Sequence, residues 1–269
     1  MLPQPTDGFA WVQAPAGPAL VARALEPLAG HLFTTRAWAL GSAVPATDAD
    51  WQQLAGAVGV DLAHLVRVRQ VHGASVVVCR EGDGRGAAGP AGAKDADIIV
   101  SNDPSLALAI QTADCVPLLI VDTRTRAVAA AHAGWRGLAA RVPSVVIDAL
   151  AREFGSRPDD LIAAIGPSVS ADRYEVGVDV RHAFQSAGFS AGHIDRWFLP
   201  GRRSQHWQFD GWQSTRDQLE SAGVRPGNIH IAALCTSTHH GVLCSYRRDG
   251  KGAGRIAGVI RKLKLEREK

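Results

Sequence analysis

Cysteine is scarce in this chain, and neither sign of charge is in large excess. Four of its 269 residues are cysteine, at 79, 115, 235 and 244, and none stand in a Cys-x-x-Cys spacing. That pattern disfavours a zinc finger, a zinc ribbon and a disulfide-stapled scaffold. The opening Met-Leu-Pro-Gln-Pro lacks the basic and apolar stretches of a secretory leader, so a reducing, cytoplasmic location is expected. No apolar run reaches the roughly 18 residues that a membrane span needs. The net charge of +3 is too small to argue for nucleic acid. Neither a membrane nor a nucleic acid is therefore an expected partner, and nothing in the sequence sets an oligomeric state. The excess is local: from Arg247 to Lys269 nine Lys/Arg face three Asp/Glu. Most such runs are solvated faces, but Arg247 and Arg248 could also meet an anionic substrate.

With 46% apolar and 20% charged residues, the composition is that of a globular protein with a sizeable core. The periodicity alternates irregularly between strand and helix. Strands are expected at His31–Arg36, Val66–Val71, Ser75–Cys79, Ile98–Val100, Leu106–Gln111, Val116–Val121, Ala127–Ala131, Ile162–Ile165, Ile229–Leu234 and Arg255–Leu263. Helices are expected over Asp48–Val58, capped by Asp48, and from near Pro143 to a stop at Gly155. Two more are expected over Asp179–Ala187 and Asp210–Ala222, the latter with Asp210 and Gln213 as a capping box. Residues 1–30 read as a loose lead-in with one or two edge strands, and Gly82–Gly92 as a surface loop. No repeat or linker is evident, so a single α/β domain with mixed sheets over residues 1–269 is expected.

Three phrases interrupt or end the apolar runs: Gln70-Val-His-Gly73, Thr112-Ala-Asp-Cys115 and His132-Ala-Gly-Trp-Arg-Gly137. Each offers one metal-capable side chain at a strand end. His72, Cys115 and His132, 43 and 17 residues apart, would have to converge from separate strands. Thiolate and imidazole suit zinc, and three protein ligands leave the open position of a catalytic site. Asp114, beside Cys115, is a candidate for supporting the ligands or accepting a proton. Copper fits less well. A blue-copper centre commonly adds an axial Met, and the one methionine is Met1; a multinuclear centre needs paired histidines, and no His-x-His occurs. Further polar candidates are Arg36, Gln70, Arg136, Tyr174, Tyr246, Arg247 and Arg248, the arginines because a guanidinium fork matches phosphate or carboxylate oxygens.

Taken together, QVHG at 70–73, TADC at 112–115 with Pro117, HAGWRG at 132–137, IGPS at 165–168, YEVG at 174–177 and SYRRDG at 245–250 with Gly254-Arg255 resemble the YfiH family. Its members are labelled laccase-domain proteins, polyphenol oxidases or purine nucleoside phosphorylases. The resemblance runs from about Phe33 to about Ile260. It implies a four-layer α/β/β/α sandwich and zinc held by the residues matching His72, Cys115 and His132. It also implies phosphorolysis of adenosine, inosine, guanosine and methylthioadenosine, with accompanying adenosine deamination. The partners would then be purine nucleosides and phosphate. Two departures stand out: after Thr34-Thr35-Arg36 the family's Asn-Leu-Gly phrase is absent, and Asp172-Arg173 replaces a Cys-Cys before YEVG.

Two other classes use the same residues. In one, Cys115 is the nucleophile of a hydrolase with His72 or His132 as its base, or zinc assists hydrolysis of an amide in a small metabolite or cell-wall precursor. In the other, the ion is structural in a non-catalytic module, which needs a fourth ligand such as His64, Asp114 or Cys235.

Overall fold

The computed structural model describes residues 1–41, 45–82 and 94–263. Most of the glycine-rich stretch expected as a loop therefore lies outside the described residues. Fifteen strands run along the described chain: β1 Phe9–Ala14, β2 Gly17–Ala22, β3 Ala29–Thr34, β4 Leu65–Arg67, β5 Val76–Cys79, β6 Ile98–Ser101, β7 Ala107–Thr112, β8 Val116–Asp122, β9 Val128–Ala133, β10 Leu161–Ile165, β11 Glu175–Gly177, β12 Phe198–Pro200, β13 His206–Phe209, β14 Ile229–Ile231 and β15 Ile256–Lys262. The helices are α1 Asp48–Ala57, α2 Trp135–Ala139, α3 Val142–Phe154, α4 Val178–Ser186, α5 Ala191–Trp197, α6 Gly211–Ser221 and α7 Tyr246–Asp249.

Two six-stranded mixed sheets dominate, ordered β1-β2-β3-β15-β7-β4 and β14-β10-β8-β9-β6-β5, with a small sheet β11-β13-β12 beside them. The period-2 alternation of side chains explains how they stack. Along β7, Ala107 and Ala109 join one apolar cluster with Trp51 and Leu54 of α1, while Leu108 and Ile110 join the cluster between the sheets. Along β8, Leu119 and Val121 face that same middle cluster, and Leu118 and Ile120 pack with α3 and α6. Three clusters thus separate four layers, helix, sheet, sheet, helix, as expected. Strands buried on both faces read as near-continuous apolar runs. The alanines of β9 let α3 approach its outer face closely.

Several local expectations shift. The edge strands expected in residues 1–30 are present as β1 and β2, but they are no loose lead-in: they form a hairpin with six paired positions, continued by β3. Thr47, not Asp48, caps α1, its hydroxyl accepting from the Asp50 N–H while the Asp50 carboxylate returns the bond. Asp210 does cap α6 by accepting from the Gln213 N–H, but the Gln213 amide reaches on to Asp217. The strand expected over Val66–Val71 stops at Arg67, because the N–H groups of Val71, His72 and Gly73 bond to the Asp97 carboxylate instead of a neighbouring strand. Similarly, Ile229–Leu234 is ladder only to Ile231.

Candidate metal centre

Two of the three phrases lie where the chain crosses between sheets, and the third ends β9. His72 lies between β4 of one sheet and β5 of the other, and Cys115 between β7 and β8. His132 projects from β9, opposite Pro117 of β8. Their ligand atoms lie within 4.8 Å of one another. The His72 and His132 rings meet edge to face at 4.8 Å. His132 is buried, Cys115 half-buried and His72 exposed, so the group opens to solvent on the His72 side. His72 and Asp114 both adopt positive φ, 62° and 87°, a region that residues other than glycine occupy uncommonly.

Burial alone would push the Cys115 thiol up. The charge and hydrogen bonds of His132, joined by His72, outweigh it and hold the thiol below its ordinary range. Burial likewise disfavours the His132 imidazolium, but Cys115 and Asp97 together raise it. Each of the two thus favours the charged form of the other. A thiolate and two imidazoles at this separation are a soft and borderline donor set that fits a divalent transition ion in a tetrahedral corner. Among the described residues, the group stops at three. The places considered for a fourth ligand are engaged elsewhere: the His64 ring pairs with Asp61 at 2.6 Å, and Cys235 accepts from the Ser170 N–H at 3.4 Å.

No hydrogen bond links the Asp114 carboxylate to His72, Cys115 or His132 among the described residues. That carboxylate accepts from the Thr236 hydroxyl at 2.6 Å and from the Arg247 N–H, tying the Cys115 turn to α7. The supporting carboxylate is Asp97, fully buried and 2.8 Å from His132 Nδ1. Burial would raise the Asp97 carboxyl, but the His132 ring and the Gly73 and His72 N–H groups hold it below its usual value. Sequence reasoning missed this residue. Its signal was an acid at the head of the all-apolar run Ile98-Ile-Val100.

Of the other candidates, Gln70 forms two 2.7 Å bonds with the Gln111 backbone, strapping the His72 turn to β7. Arg247 reaches the Glu175 carbonyl and lies 5.7 Å over the Tyr174 ring. Tyr174 shares a cavity of about 30 Å³ with Cys115, Gly134 and Trp135. Burial first, then the Cys115 charge, keeps its phenol protonated. The Arg136 guanidinium is exposed, stacks 4.1 Å over Trp135, and influences Tyr174. Tyr246 is 51% exposed beside Arg247. Arg248 and Arg36 belong to the neighbouring loop instead: Arg248 bonds the carbonyls of Thr236, Ser237 and Leu243 and the Asp249 carboxylate, and Arg36 bonds the His240 carbonyl.

The family model described as "Multi-copper polyphenol oxidoreductase laccase" matches residues 40–262. A protein of Bacteroides thetaiotaomicron named purine nucleoside phosphorylase is 38% identical over 164 residues, 61% of this chain and 60% of the relative. The match thus spans less than two thirds of that relative's length. A protein named adenosine deaminase RL5, from an unknown prokaryotic organism, is 34% identical over 216 residues, 78% of this chain and 79% of its own. The crystal structure of the Bacillus licheniformis hypothetical protein YfiH superposes with a TM-score of 0.84 at 27% identity, covering 96% of this chain and all of that one.

Proposed function

Because this chain belongs to the multi-copper polyphenol oxidoreductase laccase family, we propose that it is a zinc-dependent purine nucleoside phosphorylase with accompanying adenosine deaminase activity. The observation that carries the reading is the open Cys115–His72–His132 group, in a chain whose relatives are named for those two reactions. Its substrates are adenosine, inosine, guanosine and methylthioadenosine with phosphate, and its site of action the cytoplasm. The family name speaks for copper, but the donor set argues otherwise. The only methionine, Met1, is fully exposed and remote from an axial role. No second group of three or more His, Cys, Asp and Glu side chains able to hold a metal accompanies the first among the described residues.

A zinc ion held by His72, Cys115 and His132 would supply Lewis-acid polarisation. In phosphorolysis the C1′–N9 bond breaks, a phosphate oxygen joins C1′, and the base leaves with a proton. Arg247 and Arg136 bear on Tyr174 in the pocket beside Cys115, where they balance phosphate; Arg36 is kept as a more distant contributor. The exposed Tyr246 ring offers a face for the purine. In deamination, water replaces the amine at C6 of adenine. Incubating zinc-loaded protein with adenosine, inosine and methylthioadenosine, with and without phosphate, tests the reading. Phosphate-dependent release of free base supports it, and inert nucleosides overturn it.

A second reading has its own support. The thiolate–imidazolium character of Cys115 and His132 is what a cysteine nucleophile and its base require. Turnover of an amide by metal-free protein would favour that hydrolase.

A further inference from the structure

Four N–H groups converge on one buried carboxylate. Asp97 Oδ1 accepts from the His72 backbone at 3.0 Å and meets His132 Nδ1 at 2.8 Å. Oδ2 accepts from Gly73 at 2.7 Å and Val71 at 3.2 Å. The backbone of the same residue is spent too: its carbonyl accepts from the His132 N–H at 2.8 Å and its N–H donates to Ser75 at 3.2 Å. Asp97 itself is 0% exposed. One side chain therefore fixes the turn that carries His72 and the ring of His132, although the two ligands are 60 residues apart in the chain.

The donor count settles what kind of group is needed. A carboxylate only accepts, so the His132 nitrogen facing it carries a proton, and in the neutral ring that a metal needs Nε2 is the free nitrogen. Three backbone N–H groups and one ring N–H require acceptor capacity at both oxygens. An amide in the same place would turn its NH₂ toward two of those donors, whichever way it is flipped. We propose that Asp97 is the positioning residue of the metal centre: it locks His132 into the Nδ1–H tautomer, so that Nε2 binds the ion, and holds His72 in register with it. This role rests on the metal reading above, but not on which substrate is turned over. Groups that orient a metal-bound histidine in this way typically change metal affinity by about 10- to 100-fold.

The test uses the full chain, with Zn²⁺ as the probe. Asp97→Asn is expected to hold Zn²⁺ about 10- to 100-fold more weakly than wild type in competition with a chelator. Co²⁺-substituted protein should show a weakened or shifted thiolate-to-metal absorption in the variant. Where that variant fails to fold, nitrogen NMR of wild-type zinc protein decides: His132 should carry its proton on Nδ1 and the metal on Nε2. Folded Asp97→Asn that binds Zn²⁺ within twofold of wild type, or a His132 bound through Nδ1, overturns the role. Failure of the substrate reading looks different. There, zinc binding still depends on Asp97 while nucleosides stay intact. Wild-type protein that takes up no zinc overturns both.

Discussion

A Cβ placed on Gly134 would lie 2.8 Å from Cys115 Sγ and 3.2 Å from His72 Cδ2. The turn from β9 into α2 thus passes so close to two of the three ligands that only hydrogen fits. Its φ of −73° is ordinary, so the requirement is space and not backbone conformation. Gly134→Ala should push the sulfur and the ring apart while leaving the buried strands intact. The expected result is metal loss with a cooperative unfolding transition retained. Metal analysis beside a thermal melt checks it; an alanine variant with full metal content would show that the turn can recede.

Cys115→Ser separates the two chemistries that share this site. A serine hydroxyl is a far poorer ligand for zinc than a thiolate, so the variant should lose both the metal and nucleoside turnover. A metal-free cysteine hydrolase would instead lose turnover with no change in metal content, because there was none. His132→Ala should likewise abolish phosphorolysis and deamination. Zinc content measured on the same preparations as the rates distinguishes these cases.

The three candidate ligands were legible because each stands at the end of an apolar run, where chemistry is easy to read against a monotonous background. Asp97 was not, because a carboxylate just before an apolar strand gives no sign of what it faces until the β4–β5 connection has folded onto it. The layer order could not come from periodicity either. Strands β7, β8 and β9 are apolar on both faces, which hides the alternation that would assign a face to each neighbour. The resemblance supplied that order. Edge strands were expected in residues 1–30 but not their burial, because the prolines and alanines there look like linker, yet Ala19, Leu20 and Ala22 are fully buried in pairing with β1 and β3. Adjacency in sequence to Cys115 gave no sign of the direction of the Asp114 side chain. At φ 87° its side chain turns to Thr236 instead.

Phosphate recognition can be separated from metal chemistry at Arg136. This guanidinium is exposed and rests on the Trp135 ring with no acceptor of its own in the hydrogen-bond pattern of the described residues. Its removal should leave the fold unchanged. A charged hydrogen bond is worth about 1.5–3 kcal/mol, so Arg136→Ala should raise KM for phosphate by roughly tenfold or more. Adenosine deamination, which needs no phosphate, should keep its rate. Equal loss in both reactions would assign the arginine to the nucleoside instead.

His31 links stability to acidity far from the metal centre. It lies buried in β3, where Nε2 accepts from the Ala22 N–H of β2 at 2.9 Å and Nδ1 faces the Ala29 carbonyl at 3.0 Å. That arrangement uses one ring proton, on Nδ1; a second on Nε2 would point at the Ala22 N–H. Burial lowers the imidazole below its ordinary value of 6.5, against smaller raising effects of Ala29, Glu26 and Ala22. The unfolded chain therefore binds this proton at a higher pH than the folded one. The stabilisation is complete above pH 6.5 and falls as pH drops below it, until the folded ring also titrates. The loss is at most about 1.4 kcal/mol per pH unit for one proton. In His31→Gln the amide oxygen can still accept from Ala22, but nothing titrates. Urea unfolding at pH 7.5 and 5.5 should show wild type losing more stability than the variant over that interval. Parallel losses in the two proteins would move the acid sensitivity to other groups.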